Sequence, residues 1–137
     1  MTAKRYLEQI GSMDMLIKMR QKELDDLRDA STAIGSFDYS KDRVQTTPSG
    51  DPPYLVMLDR ILELEQDIQR CLDKKHTIMH EIQDMENPTY SQILFKRYVE
   101  GKGLNAIADE MNYSYQHVRR MHGWALQEFE RCYKMLH

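Results

Sequence analysis

A chain of 137 residues with a net charge of −3, 41% hydrophobic and 30% charged, holds one modest domain or a small domain joined to an extended element. With only four prolines and six glycines it reads as helix-rich, so the expected fold class is all-α. Cys71 and Cys132 form neither a CxxC pair nor a disulfide framework, and there is no signal-peptide core or run of ~18 apolar residues, so a reducing, cytoplasmic setting without a membrane span is expected.

The charge is unevenly spread. Residues 1–87 carry 12 Lys/Arg against 17 Asp/Glu, net −5, whereas residues 88–137 carry 7 against 5, net +2. An acidic association arm of residues 1–87 followed by a mildly basic DNA-binding module of residues 88–137 fits this division.

In chain order, Tyr6, Ile10, Met13, Ile17, Leu24 and Leu27 recur at helical spacing and predict a long amphipathic helix from Ala3 to Ile34. Arg20 falls on the same stripe, either as a register mark in a coiled coil or as a side chain that snorkels out. Residues 35–53, GSFDYSKDRVQTTPSGDPP, break the periodicity; they read as a long loop, either a mobile connector or an ordered strap. Asp51-Pro52-Pro53 starts the next helix. In it Tyr54, Met57, Ile61, Leu64, Ile68, Cys71, Ile78, Ile82 and Met85 form a heptad seam broken by Lys75, which demands a partner helix. About 32 residues at about 1.5 Å each make a rod of roughly 48 Å.

The expected partner is residues 3–34 folded back as an antiparallel, coiled-coil-like hairpin, the same helix of a second copy, or both at once. Leu55, Leu58, Leu62 and Leu72 widen the apolar face, either to cover that seam or to join a second copy in a homodimer. Pro88 opens another helix through Ile93, Leu94, Tyr98 and Val99, which stops at Gly101.

Leu104–Gly123 then reads as a helix-turn-helix. Ile107, Ala108 and Met111 give the first helix an apolar face, Asn112 ends it, and Ser114 caps a second helix. Val118, Met121, Ala125 and Phe129 turn inward, and that helix continues through Tyr133 and Leu136. Tyr115, Gln116, Arg119 and Arg120 face outward and are of the types that read base edges and phosphates from the major groove. His117 and His122 flank this face, within reach of phosphate or as plain surface residues; Ser114 and His117 complete the candidate DNA-binding set.

The run NAIADEMNYSYQHVRRMHGWALQEF resembles the promoter-reading C-terminal domain of bacterial sigma factors, where a Ser/Thr-capped helix with arginines runs into an Ala-Leu pair, here Ala125-Leu126. With DRVQTTPSGDP, ILFKRYVEG and the N-terminal half, most of the chain resembles phage late-gene transcriptional regulators of the ArpU/RinA type. It departs at Gly103-Leu104, where a Ser or Thr cap followed by an aromatic is commoner. The resemblance implies a sequence-specific regulator of a late-gene promoter, with double-stranded DNA and RNA polymerase as partners.

His76 and His80 lie four apart beside Glu81, but two ligands do not make a metal site. With no phosphate-binding glycine loop, nucleophile elbow or catalytic carboxylate pair, neither enzyme activity nor a cofactor is expected. Two rival readings stay open: a small terminase subunit that packages DNA as a ring, and a coiled-coil scaffold without DNA affinity.

Overall fold

The computed structural model describes residues 2–35 and 53–133, whose regular structure is entirely helical. Helix α1 spans Ala3–Gly35, α2 Pro53–Gln83, α3 Pro88–Leu94, α4 Leu104–Met111 and α5 Tyr115–Tyr133, and a π-helical turn, Phe95–Val99, continues α3. The expected start at Asp51-Pro52, the DRVQTTPSGDP segment and Leu136 lie outside the described residues.

Packing divides the chain into two compact units, Met1–Asp14 with Asp73–His137, and Met15–Leu72. This differs from the expected division into 1–87 and 88–137. The reason is the core of the first unit, in which Ala3, Leu7, Ile10 and Met13 of α1, Ile78 and Ile82 of α2, and Met85 form one buried cluster with Leu94, Ala125 and Phe129. The start of α1 is therefore enclosed by more than one helix. Leu7, which the two-helix stripe passes over, is fully buried, while Tyr6 is only half-buried. The Tyr6 hydroxyl donates to the Glu81 carboxylate, and burial and that carboxylate push its pKa up. The Tyr133 hydroxyl donates to the Glu81 carbonyl at 2.6 Å, and Lys75, the break in the heptad seam, meets Asp14 at 2.7 Å.

In the second unit Leu24, Ile61, Leu64 and Ile68 are buried, with Ile17, Leu27, Met57 and Leu72 packed against them. Arg20 stays at the margin of this core, where Nη1 lies 3.4 Å from Cys71 Sγ and Nε 4.0 Å from Asp67. Arg60 meets Glu23 at 2.9 Å and Arg28 meets Glu65 at 2.6 Å. Such exposed pairs contribute little stability but penalise a slipped register. Tyr54, expected on the seam, is 45% exposed, because the described core begins one turn later, at Met57 and Ile61.

Candidate nucleic-acid interface

A capped helix leads into the site. The Asn87 side chain accepts from the backbone N–H groups of Thr89 and Tyr90 at 3.0 and 3.2 Å, and Pro88 occupies the first turn, where its missing N–H costs nothing. The π turn closes with the Glu100 N–H donating to the Phe95 carbonyl at 3.1 Å. Gly101 follows at φ 71°, a left-handed conformation that glycine adopts without a Cβ penalty. Gly103 supplies no side-chain cap to α4, as its residue type implies.

What holds α4 in place is its buried face, and one exposed carboxylate adds surface ion pairs. Ile107 and Ala108 pack with Ile93, Val118 and Met121 in a second cluster, with Tyr90, Leu104 and Met111 at its edge. Glu110 receives Lys102 Nζ at 2.5 Å and Lys96 Nζ at 3.1 Å, and these two ammonium groups, Lys102 foremost, hold its carboxyl below the usual carboxylate range. Two of the module's cations thus face the protein's own carboxylate.

The break expected at Asn112 is present. Its backbone sits at φ 61°, ψ 40°, and it is the one non-glycine residue with positive φ among those described. Asparagine tolerates this conformation better than β-branched or bulky residues do. The N–H groups of Asn112 and Tyr113 both donate to the Ala108 carbonyl, which closes the last turn of α4. The Ser114 hydroxyl then accepts from the His117 N–H at 3.1 Å, which caps α5.

From that cap the side chains divide by helical geometry. Val118, Met121, Ala125 and Phe129 are buried, whereas Ser114, Tyr115, Gln116, His117, Arg119 and Arg120 are all exposed. Gln116, Arg119 and Arg120 lie on the side of α5 opposite the core, so one face gathers them. Ser114 acts as the cap, and His117 stands to one side, edge-on to the Tyr113 ring at a centroid distance of 5.1 Å. The ion pairs of Lys96, Lys102 and Arg131 leave Arg119 and Arg120 outside any ion pair formed among the described residues. Trp124 is 47% exposed on the same outward side, one turn beyond Arg120. The three-to-four spacing that joins Gln116 to Arg120 continues to Trp124 and Gln127, and this was the signal for it.

His122 does not flank the exposed face. It is half-buried, with Nε2 2.9 Å from the Tyr98 hydroxyl and its ring stacked on Tyr98 at 5.8 Å. Burial, then the nearby Arg97 and Lys4 charges, holds its pKa below the ordinary imidazole value, while burial pushes the Tyr98 hydroxyl up to about 12. A depressed folded-state pKa means that the unfolded chain takes up the proton first as pH falls. Stability is therefore full above the ordinary imidazole value of 6.5, declines below it, and levels off once pH has passed the lower folded value. We expect urea midpoints measured from about pH 8 to about pH 5 to lose part of their slope in His122→Asn relative to the unsubstituted protein. An identical pH profile for the two proteins would show that His122 titrates as it does in the unfolded chain.

His76 and His80 are exposed on α2, and no group of three or more His, Cys, Asp or Glu residues among those described could hold a metal ion. No described helix is long and apolar enough to cross a membrane. Comparison with protein-family models, with curated proteins and with solved structures finds no match.

Proposed function

We propose that this chain is a sequence-specific DNA-binding transcription regulator in which α4 and α5 act as a helix-turn-helix and the outward face of α5 enters the major groove. The observation that carries this reading is the turn at Asn112–Ser114: it fixes α5 so that Val118 and Met121 face α4 and Ile93 while Gln116, Arg119 and Arg120 stand exposed together. In such motifs the first turns of the second helix reach base edges. The resemblance of NAIADEMNYSYQHVRRMHGWALQEF to sigma-factor promoter readers, and of the longer chain to phage late-gene regulators of the ArpU/RinA type, supports a promoter target and RNA polymerase as a partner. Selection of bound sequences from a random duplex pool tests the proposal. One enriched sequence is the expected result, and an unenriched pool after repeated rounds overturns it.

The buried contacts between α1 and α2 support an antiparallel hairpin, and the exposed apolar residues of these helices support a homodimer. In the second unit Met15 is 61%, Leu62 55% and Leu55 45% exposed. Leu55, Leu58 and Leu62 recur on α2 at steps of three and four and make a second stripe alongside the buried Ile61–Leu64–Ile68 seam. Replacing Leu58 and Leu62 together by glutamate should convert dimers into folded monomers, read as half the mass in light scattering with an unchanged helical circular dichroism spectrum. An unchanged mass would place the interface elsewhere, and a ring of many copies in the unsubstituted protein would favour the DNA-packaging reading.

A further inference from the structure

Gly123 lies in the interior of α5 on the side turned away from the core. A glycine there weakens a helix relative to alanine, because it costs more backbone entropy on folding. Nothing inside the molecule requires it: no heavy atom lies within 4 Å of the position a Cβ would take, and the backbone there is not left-handed. What the missing side chain leaves is room for something that approaches from outside.

The surroundings indicate what that is. Gln116, Arg119, Arg120, Trp124 and Gln127 line a shallow groove with Gly123. Arg120 and Trp124 are four residues apart, so they stand one above the other along one side of it. Neither Arg119 nor Arg120 takes part in an ion pair among the described residues, whereas Lys96, Lys102 and Arg131 do. A half-exposed tryptophan adds a flat apolar face and a single N–H donor, and it has no acceptor.

We propose that this notch seats one phosphodiester strand of duplex DNA, with the sugar-phosphate backbone passing over Gly123, the Arg120 guanidinium on a phosphate, and the Trp124 indole N–H donating to a phosphate oxygen. The proposal rests on the reading of α5 as the groove-entering helix and extends the interface one to two turns beyond its reading residues. A crossing helix from a second copy would also fit a glycine notch. If that helix were the same face of α5, the crossing would set Arg119 and Arg120 against their own counterparts, which is costly, whereas a phosphate strand supplies opposite charge.

The test uses the full chain and duplex of selected and of random sequence across a salt series. Gly123→Ala should raise the thermal midpoint while lowering affinity for both duplexes alike, and these opposite signs separate a contact from a folding effect. Trp124→Phe keeps the ring and removes the donor; it should weaken binding to both duplexes and reduce the salt slope only slightly, whereas Arg120→Ala should reduce that slope by about one. The chain has one tryptophan, so its emission should change when duplex is added. If Gly123→Ala and Trp124→Phe bind as the unsubstituted protein does while Gln116→Ala loses sequence preference, the notch is overturned and the reading helix stands. If no variant of α5 alters binding, the reading of α5 falls with it. Emission that follows protein concentration and ignores duplex would put a second copy in the notch and overturn the proposal.

Discussion

Replacing Tyr115, Gln116, Arg119 and Arg120 together by alanine is expected to abolish discrimination between the selected duplex and random duplex. All four side chains are exposed on α5, so the substitutions remove no buried contact, and circular dichroism should remain helical. Glutamine can pair with adenine and arginine with guanine through two hydrogen bonds, each pairing contributing on the order of 1–3 kcal/mol of base discrimination. Losing both therefore erases most of the preference that a helix of this size can make. Single substitutions should separate the roles: Gln116→Ala and Arg119→Ala relax sequence preference, whereas Arg120→Ala lowers affinity for every duplex and reduces the salt slope by about one. A quadruple variant that binds its target as tightly as the unsubstituted protein would show that the interface lies elsewhere.

The other large effect is expected in the core that supports this face. Phe129→Ala should destabilise the protein by about 3–5 kcal/mol, since the ring is 2% exposed and packs between Tyr6 and Tyr133 at centroid distances of 5.9 and 4.6 Å. The same cluster predicts that a fragment of residues 88–137, cut at the boundary that charge and the proline at 88 suggest, will not fold alone. It would leave Leu94, Ala125 and Phe129 without Ala3, Leu7, Ile10, Met13, Ile78, Ile82 and Met85. Each buried Leu, Ile or Phe side chain contributes about 1.5–3 kcal/mol, and a fragment of this size has little stability to lose. Its circular dichroism should show little helix and no cooperative melt. A cooperative melt would instead mean that the Ile93, Ile107, Ala108, Val118 and Met121 cluster is sufficient.

What the sequence determined by itself was local. The helices, the stop at Asn112, the cap at Ser114 and the inward set Val118, Met121, Ala125 and Phe129 all follow from helical periodicity and from the backbone preferences of single residues, and the structure places them at those positions. The exposure of Gln116, Arg119 and Arg120 follows as well, because on a helix the face opposite a buried stripe is set by spacing alone. The tertiary structure decided what depends on residues distant in the chain. Leu7 is buried and Tyr6 only half-buried because α3 and α5 close over the start of α1, which a two-helix stripe cannot anticipate. His122 turns toward Tyr98, 24 positions away in the chain, while its near neighbour His117 stays exposed, although both lie on one helix and share a residue type. The packing boundary falls within the long helices for the same reason: composition changes at residue 88, but apolar burial joins side chains across that point, and burial energy depends on proximity in space.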